Sequence, residues 1–288
     1  MIGFQELTRK QIYILSAALS AVLLIAVVAT FRSCRPHTYP AELVAADSLC
    51  DSNADSAAVV LSRLERSGGY DGADRMYLDL LKVKLTNNLY EPQKDSTIFR
   101  VVDYFEDMGD RERLCQAYYY QGKYYKEHND APQALKSFQQ SLKSADKDTP
   151  LSFYSKLYNQ SGKIFMAQDL YDDALAMYKE SFVCDSVLND TVNMVHSLRD
   201  ISQVYKHFRM FDNSEQCLKR ASDILNGGCS SDIRDGLQES IQLCLAQVYR
   251  DKGDIDMAHK IFSEDLNGDV PQLMSAKYSL AIDIYSNK

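Results

Sequence analysis

Residues 115–146 read CQAYYYQGKYYKEHNDAPQALKSFQQSLKSAD, and residues 155–186 read SKLYNQSGKIFMAQDLYDDALAMYKESFVCDS. Laid over one another, the two stretches repeat. Gly122 and Gly162 are 40 residues apart, as are Ala134 and Ala174, and Phe138 and Tyr178. Ser202 lies a further 40 beyond Gly162. A fixed period of this size marks stacked supersecondary units. Such stacks offer an extended surface for partners rather than a pocket for chemistry.

Within the first unit, Tyr118, Gln121, Gly122 and Tyr125 fall on one face of a helix. A helical glycine costs about 1 kcal/mol relative to alanine, so Gly122 needs a reason. Close approach of a second helix supplies it. Asn129, Asp130 and Pro132 break the first helix, with Asp130 placed to cap and Pro132 to start the next. That second helix carries Ala134, Phe138, Ser141 and Leu142. Ala134 lets the helices touch, and Phe138 fills the space between them. The second unit repeats this with Tyr158, Gly162 and Phe165, a turn at Leu170–Asp173, then Ala174, Tyr178 and Ser181. The third has Leu198, Ser202 and Tyr205, then Ser214, Leu218 and Ala221. The fourth has Leu245, Ala246 and Tyr249, a turn at Gly253-Asp254, then Ala258 and Phe262. Ala246 follows Ser202 by 44, so a connection has grown by four residues, which the breaker-rich stretch Asn226–Ser230 would absorb.

This pattern of small residues and following aromatics resembles the tetratricopeptide repeat over residues 112–271. The resemblance implies an all-α fold, a right-handed α-solenoid of antiparallel helix pairs. The chain departs from the family in two ways. Asp146 and Ser186 stand where a helix-breaking proline is usual, and the period exceeds the usual value of about 34. Residues 40–111 read as degenerate helical repeats, with helices over Pro40–Cys50, Asp55–Arg66, Ala73–Asn87 and Ser96–Met108. Asp55 or Ser56 is a candidate N-cap. The string from Tyr39 through Asp55-Ser56-Ala57 resembles the start of membrane-associated tetratricopeptide proteins of the Bacteroidetes. Residues 272–288 read as the first helix of an incomplete unit, apolar on more than one face through Leu280, Ile282, Ile284 and Tyr285.

Residues 1–11 form an N-terminal tail, and 12–31 contain no charged residue. A helix of that length spans about 30 Å, enough to cross a bilayer core. The segment therefore predicts a transmembrane anchor or signal, followed by a linker over 32–39. One fate is an uncleaved anchor; the other is cleavage before Cys34 with lipid on that cysteine. Arg32 and Phe31 suit the second poorly, and the apolar run is long for a signal core. The expectation is an inner-membrane anchor with the repeats on the extracytoplasmic, periplasmic side. Ser16-Ala17 and Ser20-Ala21, one turn apart, would permit self-association.

Formal charge is −8, which argues against nucleic acid. Cys34, Cys50, Cys115, Cys184, Cys217, Cys229 and Cys244 form no CxxC pair, so neither a zinc site nor a disulfide framework is expected. Asp251, Asp254 and Asp256 lack the downstream glutamate of a calcium loop and read as a capped turn. No nucleophile–base motif, phosphate loop or dinucleotide fingerprint is present. The chain is expected to be no enzyme and to need no cofactor. Asp-Ser and Asp-Thr pairs at residues 47, 55, 95, 185 and 190 resemble an O-glycan acceptor pattern of the Bacteroidetes.

The repeat resemblance implies a concave groove lined by first helices. The positions that face it are Gln116, Tyr119, Lys123 and Lys126, then Lys156, Asn159, Lys163 and Met166. His196, Arg199, Gln203 and Lys206 follow, then Leu243, Gln247 and Arg250. This surface is basic although the chain is acidic, and it suits an acidic protein or peptide. The expected function is a membrane-tethered scaffold that binds a partner. The alternative is a sensor or input domain of a signalling or transcriptional regulator, shortened at its C-terminus.

Overall fold

The computed structural model describes residues 37–228, 231–266 and 273–286, and these contain 13 α-helices and no strand. They fall into two compact units that divide between Leu85 and Thr86. In the first unit, α1 (Ala41–Ser52) and α2 (Ala54–Ser67) meet at Asn53. Asn53, not Asp55 or Ser56, is the N-cap: its backbone is extended and its side chain accepts from the Ser56 amide at 2.9 Å. After a loop containing Gly68 and Gly69, α3 (Gly72–Asn88) begins. Its Lys84 is 5 % exposed and donates to the carboxylates of Asp47 and Asp51. The Tyr77 hydroxyl donates to Asp47 at 2.6 Å. A buried ammonium is tolerable only when paired in this way.

The second unit opens with α4 (Thr97–Met108). It continues with three pairs, α5 (Arg111–Glu127) and α6 (Ala131–Ser144), α7 (Leu151–Ala167) and α8 (Tyr171–Val187), and α9 (Thr191–His207) and α10 (Phe211–Gly228). The fourth pair is α11 (Ser231–Lys252) and α12 (Ile255–Asp265), and α13 (Met274–Ser286) follows. The helices α5, α7, α9 and α11 begin 40 residues apart.

The turn inside each pair is built alike. Asn129, Asp169 and Arg209 stand 40 apart and adopt φ of 58°, 57° and 58°. The next residue's amide returns to the last turn of the first helix: Asp130 to the Tyr125 carbonyl, Leu170 to Phe165, and Met210 to Tyr205, each at 2.9 Å. This left-handed stop closes the helix by a six-to-one hydrogen bond. In the fourth pair Gly253 takes the same place and Asp254 returns to Tyr249 at 2.9 Å. Asp130 and Asp254 then cap the second helices through Gln133 and Met257.

The four extra residues are not in the 226–230 connection. α10 continues through Asn226 to Gly228, and α11 starts on the 40-residue period. α11 is 22 residues long where α9 has 17. An insertion of four is close to one helical turn, so a helix can absorb it without rotating its buried face.

The first two pairs are each held by a ring set on a glycine. A Cβ added at Gly122 would come within 2.4 Å of the Phe138 ring, and one at Gly162 within 2.6 Å of the Tyr178 ring. Both rings are buried. In the third pair the small residues bond instead, with the Ser214 hydroxyl donating to the Ser202 carbonyl at 2.8 Å. Between the second and third pairs, the buried Asp185 carboxylate accepts from Ser155 and Ser197. Burial raises its carboxyl pKa. Ser186 beside it donates to the Phe182 carbonyl, so this Asp-Ser pair belongs to the helix packing rather than to an exposed loop.

The membrane location expected from residues 12–31 is corrected. Among the described residues no helix is long and apolar enough to cross a membrane. The longest, α11, carries Arg234, Asp235, Glu239, Arg250 and Lys252. Residues 12–31 and Cys34 lie outside the described residues, so an anchor, a lipid site and an extracytoplasmic placement rest on no described element.

Gly122→Ala should lower stability by about 1–3 kcal/mol through overpacking, despite alanine's better helix propensity. Gly236→Ala, in α11 with nothing within 4 Å of its added Cβ, should be neutral or stabilising by up to about 1 kcal/mol. Urea unfolding of both variants checks the contrast, and Phe138→Leu should partly rescue the first.

Candidate functional site

The first helices lie side by side, and side chains cross from each to the next. Lys126 on α5 donates to the Gln160 side chain on α7 at 2.7 Å. Asn159 on α7 donates to Asp200 on α9 at 3.1 Å. From α9 to α11, Arg199 donates to Ser240 at 3.0 Å, Gln203 to the Cys244 sulfur at 3.2 Å, and Lys206 to Gln247 at 3.3 Å. From α11 to α13, Arg250 reaches Asp283 at 2.6 Å. The face expected to bind a ligand is thus also the seam that joins the repeats.

This divides the expected groove residues. Tyr119 is 6 % exposed, with its ring against Tyr120, Phe138 and Phe153, and it forms part of the wall. Leu243 packs with Ala246 and Ala258, and Met166 against Ala174 and Tyr178. Gln116 is half-buried, and its Oε1 is buried without a hydrogen-bond partner. Arg199, Gln203, Lys206, Gln247 and Arg250 serve the seam, and their charge is further offset by Asp200 at 3.6 Å and Asp251 at 3.9 Å and 2.7 Å. Lys156 and Lys163 are exposed; Lys123 and His196 are half-buried. Lys123 and Lys163 form no ion pair among the described residues.

What remains is a cationic patch at the N-terminal end of the seam, over α5, α7 and α9. Burial is the main cause that brings Lys126 down to about 8, and the charges of Lys123 and Lys163 add to it. Burial also lowers Lys123; Glu127 opposes that and Lys163 reinforces it. His196 is lowered first by burial, then by Arg199, with Lys163 contributing. Lys163 is therefore felt from α5 and from α9, which puts it at the centre. The patch can hold an oxyanion, because an incoming negative charge would relieve repulsion already present. Among the described residues no group of three His, Cys, Asp or Glu could hold a metal ion.

Sequence reasoning missed the acceptors Gln160, Asp200, Ser240, Asp251 and Asp283. A signal for part of them was available. Asn159 with Asp200, Arg199 with Ser240, Gln203 with Cys244 and Lys206 with Gln247 are each 41 apart, one more than the period.

No protein-family model matches the chain, and no curated protein matches it. Solved structures do. A signal transduction ATPase with numerous domains, carrying a tetratricopeptide repeat sensor, from Pyrococcus horikoshii, is similar at TM-score 0.65 and 14 % identity over 85 % of this chain. The fold is tetratricopeptide-like. This chain spans only 38 % of that protein's length. The apo quorum sensor NprR from B. thuringiensis is similar at TM-score 0.63 and 14 % identity, over 85 % of this chain and 70 % of its own. The Rap conjugation gene regulator of plasmid pLS20, solved with the Phr* peptide, is similar at 0.54 and 12 % identity, over 87 % and 71 %.

The lysine cluster has a direct spectroscopic check. In the isolated protein the Lys126 side-chain resonances should titrate with a midpoint near 8. Lys163→Gln should move that midpoint upward, since one repelling charge is gone, though burial keeps it below the ordinary value of about 10.4. Lysine-selective NMR across pH 6 to 11 reads both.

Proposed function

We propose that this chain is a non-enzymatic scaffold whose first-helix face binds an acidic segment of a partner protein or peptide. One observation carries the reading: among the described residues Lys123 and Lys163 stand without ion pairs, in a patch where Lys126, Arg199 and His196 add positive character. Glu127 opposes Lys123 and Lys126, Asp200 and Asp190 oppose the charge at His196, and Asp200 already accepts from Asn159. Binding is by complementarity along several helices, without turnover. The likeness to a regulator solved with a peptide supports this use of the fold. A second reading is a sensor or input module of a regulator. It draws on the likeness to the repeat sensor of the Pyrococcus ATPase, and would use the same face.

The test is recovery of partners by photocrosslinking to the full chain. Lys123→Glu with Lys163→Glu should reduce capture roughly tenfold or more, as expected for two lost charge-assisted contacts. Lys179→Glu, on the exposed side of α8, should leave capture unchanged. Equal recovery from the double variant and the parent would remove this face from the function.

A further inference from the structure

Lys84, Lys219, Lys252 and Lys277 each meet a carboxylate: Asp47 and Asp51, Glu215, Asp212 and Glu239 in turn. Lys126 donates instead to a neutral amide, the Gln160 side-chain oxygen, at 2.7 Å. Lys206 supplies a comparison within the fold. It stands two periods on in the same register, is also half-buried, and also donates to a glutamine, Gln247. Asp251, however, lies 3.9 Å from it. Among the described residues no carboxylate forms an ion pair with Lys126. The charged groups that act on it are Lys123 and Glu127 on α5 and Lys163 on α7. The two lysines repel its proton. Glu127 would hold it, but the Glu127 Oε2 accepts from the Gln93 amide at 3.0 Å.

A half-buried ammonium with a neutral acceptor and two ammonium neighbours gives up its proton readily, which agrees with its value of about 8. Near pH 8 about half of this amine is neutral, whereas a lysine at the ordinary value of about 10.4 is less than about 1 % neutral. The neutral Nζ keeps an N–H for Gln160 and carries a lone pair, and an amine activated by burial and a neighbouring cation is a nucleophile. Lys123 lies one turn before Lys126 on α5, and Lys163 holds the position of Lys123 one repeat on. Two ammonium groups beside a nucleophilic nitrogen suit an electrophile whose leaving group is a dianion. An acyl phosphate is such a donor. Its phosphate adjoins the carbonyl carbon, so the cations that bind the one bring the other to Nζ. In a thioester on a long phosphorylated carrier, charge and carbonyl lie far apart, and the cluster gives no such alignment.

We propose that Lys126 is an acylation site, whose ε-amine takes the acyl group of an acyl phosphate held by Lys123 and Lys163. The ammonium first loses a proton to water. Nζ then attacks the carbonyl carbon, a C–N bond forms, and the C–O bond to the phosphate breaks. The phosphate leaves with the bonding pair and takes up the proton that the nitrogen sheds. While bound, the dianion offsets the repulsion from Lys123 and Lys163, but burial, the larger cause, still favours the neutral amine. The product is an uncharged amide among the cations. It weakens the hold on an acidic partner; that consequence, unlike the site itself, rests on the function proposed above.

The test is to incubate the full chain with isotopically labelled acetyl phosphate and follow each lysine by peptide mass spectrometry. Near pH 8 Lys126 should acetylate roughly tenfold or more faster than Lys136 and Lys179, which are exposed on the second helices. Its rate should saturate with acetyl phosphate and fall when inorganic phosphate competes. Gln160→Glu sets a carboxylate against Nζ and should slow Lys126 about tenfold. Lys163→Gln should slow it too, and Lys179 should keep its rate in both variants. Neutral p-nitrophenyl acetate should prefer Lys126 less than acetyl phosphate does. Equal rates at Lys126, Lys136 and Lys179 overturn the inference. So does a fast Lys126 that ignores both inorganic phosphate and Lys163→Gln, since that is a reactive amine without an anion site. These rates are read with no partner present, so their failure leaves the binding role to its own crosslinking test.

Discussion

The ring of Phe138 rests on the bare backbone of Gly122, and Tyr178 rests on Gly162. The first two pairs of the second unit depend on that contact. It fixes how closely the two helices of a pair approach. It also makes the first-helix glycine, otherwise unfavourable, the residue that cannot change. Interiors pack at crystal-like density, so a mismatch of one carbon is felt throughout the pair. Once the pair is set, the left-handed residue at Asn129, Asp169 or Arg209 fixes the turn, and the pair becomes a unit that can be stacked.

Stacking then draws on apolar clusters shared by neighbouring pairs and on polar side chains along the first helices. The bonds from Lys126 to Gln160, Asn159 to Asp200, Arg199 to Ser240 and Arg250 to Asp283 join consecutive first helices from α5 to α13. A repeat protein is stable through nearest-neighbour interfaces, and these bonds contribute to each one. They also consume positive charge where seam density is highest, between α9 and α11. Between α5 and α7 the seam bond runs from Lys126 to Gln160. The cations Lys123 and Lys163 lie there, and the proposed function rests on this unspent charge.

Much of the fold was legible in the sequence because period, small residues and aromatics are written residue by residue. Gly122, Ala134 and Phe138 specify their contacts almost alone. The four-residue insertion was misplaced for a physical reason: Asn226, Gly227 and Gly228 have loop composition, yet α10 runs through them and α11 absorbs the extra turn. The site was legible only in outline. Facing positions follow from helical spacing, but partnership does not. Arg199 and Lys206 look as available as Lys163 until Ser240 and Gln247, one residue beyond the period, are brought against them. Tyr119 looks like a groove residue until Phe153 from the next pair closes over it. Exposure of Tyr278, Ile282 and Tyr285 on α13 was likewise invisible, since apolarity alone does not say which face is covered.

The most direct measurement is a lysine acylation footprint of the full chain with and without polyglutamate as an acidic probe, read by mass spectrometry. The account predicts protection concentrated at Lys123, Lys126 and Lys163, with Lys179 and Lys219 on the second helices reacting as before. Protection spread evenly over all lysines, or falling on the second helices, would contradict it.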